Sequence, residues 1–255
     1  MNLAVDIGGT YLRYDINGVK KIEIKNIDIE EFLKKLIKKY NVKKIAISFA
    51  GQVYKGEIFS SPNAKKFNPK NLKIPYILEN DLNCAALAQS YYFKSKFLVA
   101  LYSGTGVGSG IIENGKIIRG YKNLAGEIGH IPYKKAPFKC GCGKDNCIEL
   151  FASGSGIEKW AKFLGCEKDL KTTCKKIKQN YEKALLFGVA TVLTLFNPEI
   201  LVLGGGVIKN NPYLVKIVKE NIKNYAPSFA VSKIVLSELE EASLKGAKLL
   251  LKDEK

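Results

Sequence analysis

The sequence predicts an α/β protein of two similar domains on either side of a central cleft, with a metal-binding knuckle on the second. Three observations lead there. Short apolar strands alternate with amphipathic helical stretches along the 255 residues. One unit occurs twice: strand, Gly-Thr turn, strand, Asn-Gly hairpin, strand. Gly9-Thr10 and Asn17-Gly18 in the first copy answer to Gly104-Thr105 and Asn114-Gly115 in the second, and two copies of one unit imply two related domains. The only histidine, His130, stands upstream of a Cys-x-Cys-x4-Cys run.

Taken in order, Leu3–Ile7 is a buried strand that ends at Gly8-Gly9-Thr10. A second strand runs to Ile16, and Asn17-Gly18 is the preferred two-residue hairpin turn before Val19–Ile24 returns. Asp6 is a carboxylate inside an apolar strand. Burial without a partner is costly, so it faces a cleft, a cation or a donor. Glycines at 8 and 9 let backbone amides approach an anion, and Thr10 adds a hydroxyl. Residues 30–40 have the apolar spacing of an amphipathic helix, Lys44–Phe49 is a strand, and Glu57–Ser60 is another, before a loop at Ser61-Pro62-Asn63. Ile74–Leu78 is a strand leading to Glu79-Asn80-Asp81, and Leu82–Phe93 is a helix with Cys84 in the core. Asn80 or Asp81 therefore sits at a strand-to-helix junction. It serves either as an N-cap or as a ligand group at the carboxyl end of a strand, where open α/β sheets bind ligands.

Phe97–Tyr102 opens the second copy, followed by Ser103-Gly104-Thr105-Gly106. A Rossmann loop would lead into a helix. Here Ile111-Ile112, Asn114-Gly115 and Ile117-Ile118 give a hairpin instead, so the two Gly-Thr turns read as a pair of phosphate-binding hairpins. In the segment Gly126–Glu149, His130, Cys140, Cys142 and Cys147 offer one imidazole and three thiolates. That donor set suits a closed tetrahedral structural zinc site better than a disulfide. Glu127 and Glu149 flank the loop and add two carboxylates. Glu158–Leu164 and Cys174–Ile177 are helical, and Tyr181–Phe196 is a separate long helix ended by Asn197-Pro198. Glu199–Leu203 is a strand running into Gly204-Gly205-Gly206, a turn open to a phosphate or a flat ring. Pro212–Tyr225 is a helix, Lys233–Leu236 a strand and Glu241–Leu251 a closing helix.

Composition bounds the partners. The formal charge is +17, but the 41 Lys and Arg are spread over most of the chain. They describe a solvated surface rather than a nucleic-acid interface, and the excess favours anionic ligands such as nucleotides. No apolar run reaches membrane-spanning length, and residues 1–10 lack the features of a secretory leader. The expectation is a cytoplasmic protein with reduced thiols and no membrane partner.

With these motifs assembled, the chain resembles the ROK family of sugar kinases and sugar-responsive repressors, within the actin-like ATPase-domain superfamily. The resemblance rests on Asp6-x-Gly8-Gly9-Thr10, Glu79-Asn80-Asp81, Gly104-Thr105-Gly106 with Gly108 and Gly110, and Gly126-Glu127-x-Gly129-His130. The Cys140-x-Cys142-Gly143-x3-Cys147-x-Glu149 knuckle and Leu203-Gly204-Gly205-Gly206 complete it. It implies two actin-like, ribonuclease-H-like domains, 1–96 with 240–255 and 97–239, closing over a cleft. It implies Asp81 as general base; Asn63, Asn80, Asp81, Glu127, His130 and Glu149 as sugar ligands; and His130, Cys140, Cys142 and Cys147 on structural Zn²⁺. Asp6, Gly8, Gly9, Thr10, Gly104, Thr105 and Gly106 would hold the phosphates of ATP with Mg²⁺ near Asp6, and Gly204, Gly205 and Gly206 the adenosine side. The implied reaction is ATP-dependent phosphorylation of a hexose, glucose foremost, with N-acetylmannosamine, fructose and allose as alternatives, in a homodimer or homotetramer. Two readings of another class are a non-catalytic sugar sensor, for which no DNA-binding segment precedes Asp6, and a basic nucleic-acid-binding regulator. The family's Gly-x-Pro-Gly sugar loop stands here as Ser48-Phe49-Ala50-Gly51, and the chain is short between Gly156 and Tyr181.

Overall fold

The computed structural model describes residues 1–16, 18–61 and 64–252. The chain forms two compact units, one of Met1–Phe93, Gly115–Ala125 and Leu239–Lys255, the other of Lys94–Asn114 and Gly126–Glu238.

In the first unit, β1 (Asn2–Ile7), β2 (Tyr11–Asp15) and β3 (Val19–Glu23) form an antiparallel meander. The chain then enters α1 (Ile29–Tyr40), β4 (Lys44–Phe49), the hairpin β5 (Gln52–Tyr54) and β6 (Glu57–Ser60), β7 (Tyr76–Asn80) and α2 (Asp81–Phe93). The sheet order is β3-β2-β1-β4-β7, with β1, β4 and β7 parallel. Alternation explains the meander: β2 buries Leu12 and Tyr14 while its odd-numbered neighbours stay partly exposed. α1 starts where Asp28 accepts from the Glu31 N–H at 3.0 Å and stops where Asn41 adopts a left-handed φ of 48°. Its Ile29, Leu33 and Leu36 join a core with Leu3, Val5, Ile7, Ile45 and Ile47. β7 runs through Glu79 and Asn80, two residues deeper than the apolar run alone implies, because parallel pairing with β4 continues to Ser48↔Glu79 and Phe49↔Asn80.

The second unit opens with β8 (Phe97–Ser103) and β9 (Val107–Glu113), antiparallel from Phe97↔Glu113 to Ser103↔Val107. After the turn at Asn114 (φ 50°) and Gly115 (φ 75°), residues Gly115–Ala125 belong to the first unit and carry β10 (Lys116–Ile117). The second unit resumes with the knuckle, α3 (Glu149–Ala152), α4 (Gly154–Leu164), α5 (Lys175–Phe196), β11 (Ile200–Gly204), α6 (Gly206–Asn210), α7 (Tyr213–Asn221) and β12 (Lys233–Leu236). Its strands order as β9-β8-β11-β12, with β8, β11 and β12 parallel. This repeats the β2-β1-β4-β7 order of the first sheet, so the duplication read from the Gly-Thr and Asn-Gly pairs is a duplication of topology. α8 (Ala242–Leu250) returns to the first unit and packs on α2, β1 and β4.

Two element boundaries and one cysteine pair differ from the sequence reading. The helical pieces at Cys174–Ile177 and Tyr181–Phe196 are one helix of 22 residues, Lys175–Phe196, in which Ile177 and Tyr181 are buried on one face and Lys178-Gln179-Asn180 join the two pieces. The helix expected over Pro212–Tyr225 is α7, ending at Asn221, followed by a 3-10 turn over Ile222–Asn224. Cys166 and Cys174 form a disulfide across the α4–α5 connection, with Cα atoms 5.8 Å apart, so these two thiols are not reduced as expected. Cys84 is fully buried in α2, as anticipated.

Candidate functional site

In the first unit, Asp6 lies next to the carboxyl end of β1 with its neighbours set by sheet register. Arg13 is its antiparallel partner and Ser48 its parallel partner. Ser48 Oγ donates to Asp6 Oδ1 at 2.7 Å and Arg13 Nη1 to Oδ2 at 3.1 Å, while Arg13 Nε pairs with Glu241 at 2.6 Å. Burial raises the Asp6 pKa above its usual value, with the Ser48 and Arg13 contacts opposing. Beyond Ile7, the Gly8 N–H donates to the Tyr11 carbonyl at 3.0 Å and closes the turn, leaving Gly9 and Thr10 exposed at its tip. Ser48 was not among the expected site residues. Its signal was a hydroxyl inside the apolar strand Lys44–Phe49.

The junction of β7 and α2 carries Asn80 and Asp81. Asn80 Oδ1 accepts from the Leu82 N–H at 2.9 Å and the Asn83 N–H at 3.2 Å, which caps the helix. Its amide nitrogen donates to the Gly51 carbonyl at 3.0 Å and to Asp81 Oδ1 at 3.1 Å. The N-cap and ligand readings therefore divide between two residues: Asn80 caps and orients, and Asp81, half-buried, is the oriented carboxylate. Beneath them Glu79, 2% exposed, accepts four hydrogen bonds, a network that sequence reasoning did not find. Asn63, the remaining expected group of this unit, and Asn17 of the first hairpin lie outside the described residues.

In the second unit the Gly126–His130 segment is seated on β9. The Ser109 N–H donates to the Gly126 carbonyl at 3.0 Å. Gly126 has a φ of 91°, and a side chain at Gly126 or Gly129 would overlap the Ser109 or Val107 carbonyl. The same strand holds Glu149, whose Oε2 accepts from the Val107 N–H at 3.0 Å. The structure thus brings Glu127, His130 and Glu149 around one strand. His130 Nε2 faces Glu127 Oε2 at 3.8 Å, and Nδ1 faces Cys140 Sγ at 3.6 Å.

The ligating atoms of His130, Cys140, Cys142 and Cys147 all lie within 4.8 Å of one another, and Cys142 and Cys147 Sγ are 3.4 Å apart. A tetrahedral zinc with bonds of about 2.3 Å to sulfur and about 2.0 Å to nitrogen needs donor separations of about 3.5–3.8 Å, so this set could hold such an ion. Metal-free, burial pushes the Cys140 thiol up to about 12 and raises that of Cys147. Cys142 is lowered, mainly by the backbone N–H of Lys144. Metal binding would displace these protons. Phe138, Trp160 and Phe151 pack the knuckle onto α3 and α4.

Gly104–Gly106 forms a tight turn, with the Gly104 N–H donating to the Gly106 carbonyl at 2.9 Å and the Gly104 carbonyl accepting from the Gly154 N–H at 2.8 Å. Gly205, at φ 88°, lies so close to the Ser103 carbonyl that any side chain would clash. Gly204–Gly206 is thereby packed beside the start of the Gly104 turn.

A model of the ROK family matches residues 2–254. The chain belongs to the ROK family. Among its relatives, a glucokinase of Halalkalibacterium halodurans is 35% identical over 60% of this chain, which spans 56% of that protein's length. An N-acetylmannosamine kinase of Escherichia fergusonii is 28% identical over 99% of both chains. The solved ROK hexokinase of Thermus thermophilus superposes with a TM-score of 0.79 over 98% of this chain and 99% of its own, at 22% identity. That likeness extends to the fold. No described helix is long and apolar enough to cross a membrane.

Proposed function

We propose that this ROK protein is a sugar kinase that transfers the γ-phosphate of ATP to a hexose hydroxyl, with glucose at its 6-hydroxyl as the favoured acceptor. The observation that carries the reading is the Asp81 carboxylate held at a strand-to-helix junction by the Asn80 amide, in a family whose relatives here are named sugar kinases.

Phosphoryl transfer requires alignment and charge neutralisation more than covalent chemistry. Asp81 takes the proton of the attacking hydroxyl, a role typically worth about 10²–10⁴ in rate. Glu127, His130 and Glu149, with Asn63 and Asn80, hold the remaining hydroxyls. Glu149 is fixed for this by Val107, and the His130 ring is set by a cysteine cluster whose donor set suits Zn²⁺. The Gly8–Thr10 and Gly104–Gly106 turns take the phosphates, and Gly204–Gly206 the adenosine side. Asp6 would hold Mg²⁺, which would supply neutralisation of the phosphate charge. The two units, with Gly115–Ala125 counted in the first rather than within 97–239, are proposed as the two domains of a cytoplasmic homo-oligomer.

The test is a coupled ATP-consumption assay with zinc-replete protein against glucose, N-acetylmannosamine, N-acetylglucosamine, fructose and allose, with Asp81→Ala alongside. Sugar-dependent turnover that the variant lacks supports the kinase and names its acceptor. Silence with every sugar would reject it in favour of a non-catalytic sugar-binding role.

A further inference from the structure

The first unit contains a buried carboxylate that the proposed chemistry does not use. Glu79 Oε1 accepts from the Asn80 N–H at 2.8 Å, from Asn83 Nδ2 at 2.9 Å and from Asn123 Nδ2 at 3.0 Å. Its Oε2 pairs with Arg119 Nε at 2.7 Å. Glu79 is 2% exposed, whereas the Arg119 side chain is 49% exposed at the edge of a cavity of about 300 Å³. Asn123 Nδ2 also reaches the Val53 carbonyl at 3.0 Å, and its Oδ1 accepts from Asn83 at 3.3 Å.

A lone buried carboxylate is costly, and here the cost is offset by four donors from two stretches distant in sequence. Two of these donors, Arg119 and Asn123, come from the Gly115–Ala125 excursion. The other two belong to the turn that carries Asp81. Asn80 links these elements: its N–H donates to Glu79, its Oδ1 accepts at the start of α2, and its amide nitrogen donates to Gly51 and Asp81. The linkage is continuous from the excursion through Glu79 and Asn80 to the carboxylate of Asp81. Residues joined in one hydrogen-bond network respond together.

We infer that Glu79 is a positioning residue for transfer: tethered by Arg119 and Asn123, it fixes the Asn80–Asp81 turn and thereby the direction of the Asp81 carboxylate. The inference rests on the kinase reading. Glu79→Gln keeps the side-chain volume but presents a donor NH₂ either to three other donors or to a guanidinium, so the turn must shift. Displacement of a base by about 1 Å can cost about 10²-fold.

The experiment compares wild type, Glu79→Gln, Asn123→Ala and Asp81→Ala as purified full-length protein, with kcat, the KM for ATP, the hexose Kd by calorimetry and the folded fraction by circular dichroism. Glu79→Gln is expected to lower kcat about 10–100-fold per folded molecule, with KM for ATP and hexose Kd within about threefold of wild type. Asn123→Ala, which removes one tether and leaves the Glu79 charge, is expected to lower kcat about 3–10-fold and decides the matter if Glu79→Gln does not fold. A kcat within twofold of wild type in the folded variants overturns the inference, as does a loss of activity that only follows the loss of folded protein. Wild type inactive with every sugar overturns the kinase reading itself, an outcome distinct from active wild type with active Glu79→Gln.

Discussion

Replacing Gly129 by alanine tests how the second unit's polar groups are aimed. Its φ is outside the left-handed region, so the objection to a side chain is purely steric. A Cβ would stand under 3.0 Å from the Val107 carbonyl oxygen and 3.1 Å from its carbon. Either β9 or the Gly126–His130 segment must move. β9 resists, because Val107 donates to Glu149 at 3.0 Å and Ser109 to Gly126 at 3.0 Å, and β9 is paired with β8 along its length. Overpacking of this kind costs about 1–3 kcal/mol, and a lost hydrogen bond adds about 1 kcal/mol. A total of about 2–4 kcal/mol lowers Tm by about 4–16 °C in a protein of this size. The displaced segment carries Glu127 and His130, so the hexose KM should rise at least tenfold and metal content should fall, while the KM for ATP changes little. Calorimetry, a chromogenic chelator assay and steady-state kinetics read these quantities. A Gly129→Ala protein with wild-type Tm, metal content and hexose KM would refute the reasoning.

Three further outcomes are expected. Asp81→Asn should lower kcat by about 10²–10⁴ while hexose affinity by calorimetry stays within a few-fold; near-normal turnover would remove Asp81 from the base role. Cys142→Ser, or a chelator on wild type, should strip the metal, lower Tm and raise the hexose KM more than tenfold; a metal-free protein with normal KM would count against the knuckle as the support of His130. Asp6→Asn should impair ATP use and change the pH dependence of stability. The folded pKa of Asp6 lies above its usual value of 3.8, so the folded state binds the proton more tightly than the unfolded state. Wild type therefore loses stability as pH rises from the ordinary value through the raised one. The Tm of Asp6→Asn relative to wild type should rise across that window, and a difference independent of pH there would contradict the assignment.

The sequence made much of this architecture legible for local reasons. Asn114-Gly115 demands two positive φ values and has them, at 50° and 75°. The short run Lys44–Phe49, ended by Ala50-Gly51, reads as a buried strand, and Asn80 next to Asp81 announces a helix start. The cysteine spacing placed four donors within one knuckle. What stayed hidden depends on distant partners. The Glu79–Arg119 pair joins residues 40 apart, and nothing in either stretch names the other. Cys166 and Cys174 carry no spacing signature, so their disulfide is visible only once α4 and α5 are in place. The two helical pieces read around Lys178–Asn180 are one helix: Ile177 and Tyr181, four apart, are both buried, and the polar Lys178-Gln179-Asn180 between them lies on its outer face. Asn80 shows that opposed readings can both hold, since its oxygen caps α2 while its nitrogen orients Asp81.

The discontinuity of the first unit bears on how the molecule is made. Its strands leave the ribosome before the second unit, yet α8, which packs on α2, β1 and β4, is translated only after it. Gly246 sits so close to the Cys84 carbonyl that no other residue fits, so this helix is a fitted part of the unit rather than an appendage. The second unit, whose last residue is Glu238, has all of its sequence available before α8 exists. Vectorial synthesis therefore reverses the written order: the second unit can complete its core while the nascent first unit still waits for its closing helix, and a stalled or truncated chain exposes α2 rather than the knuckle.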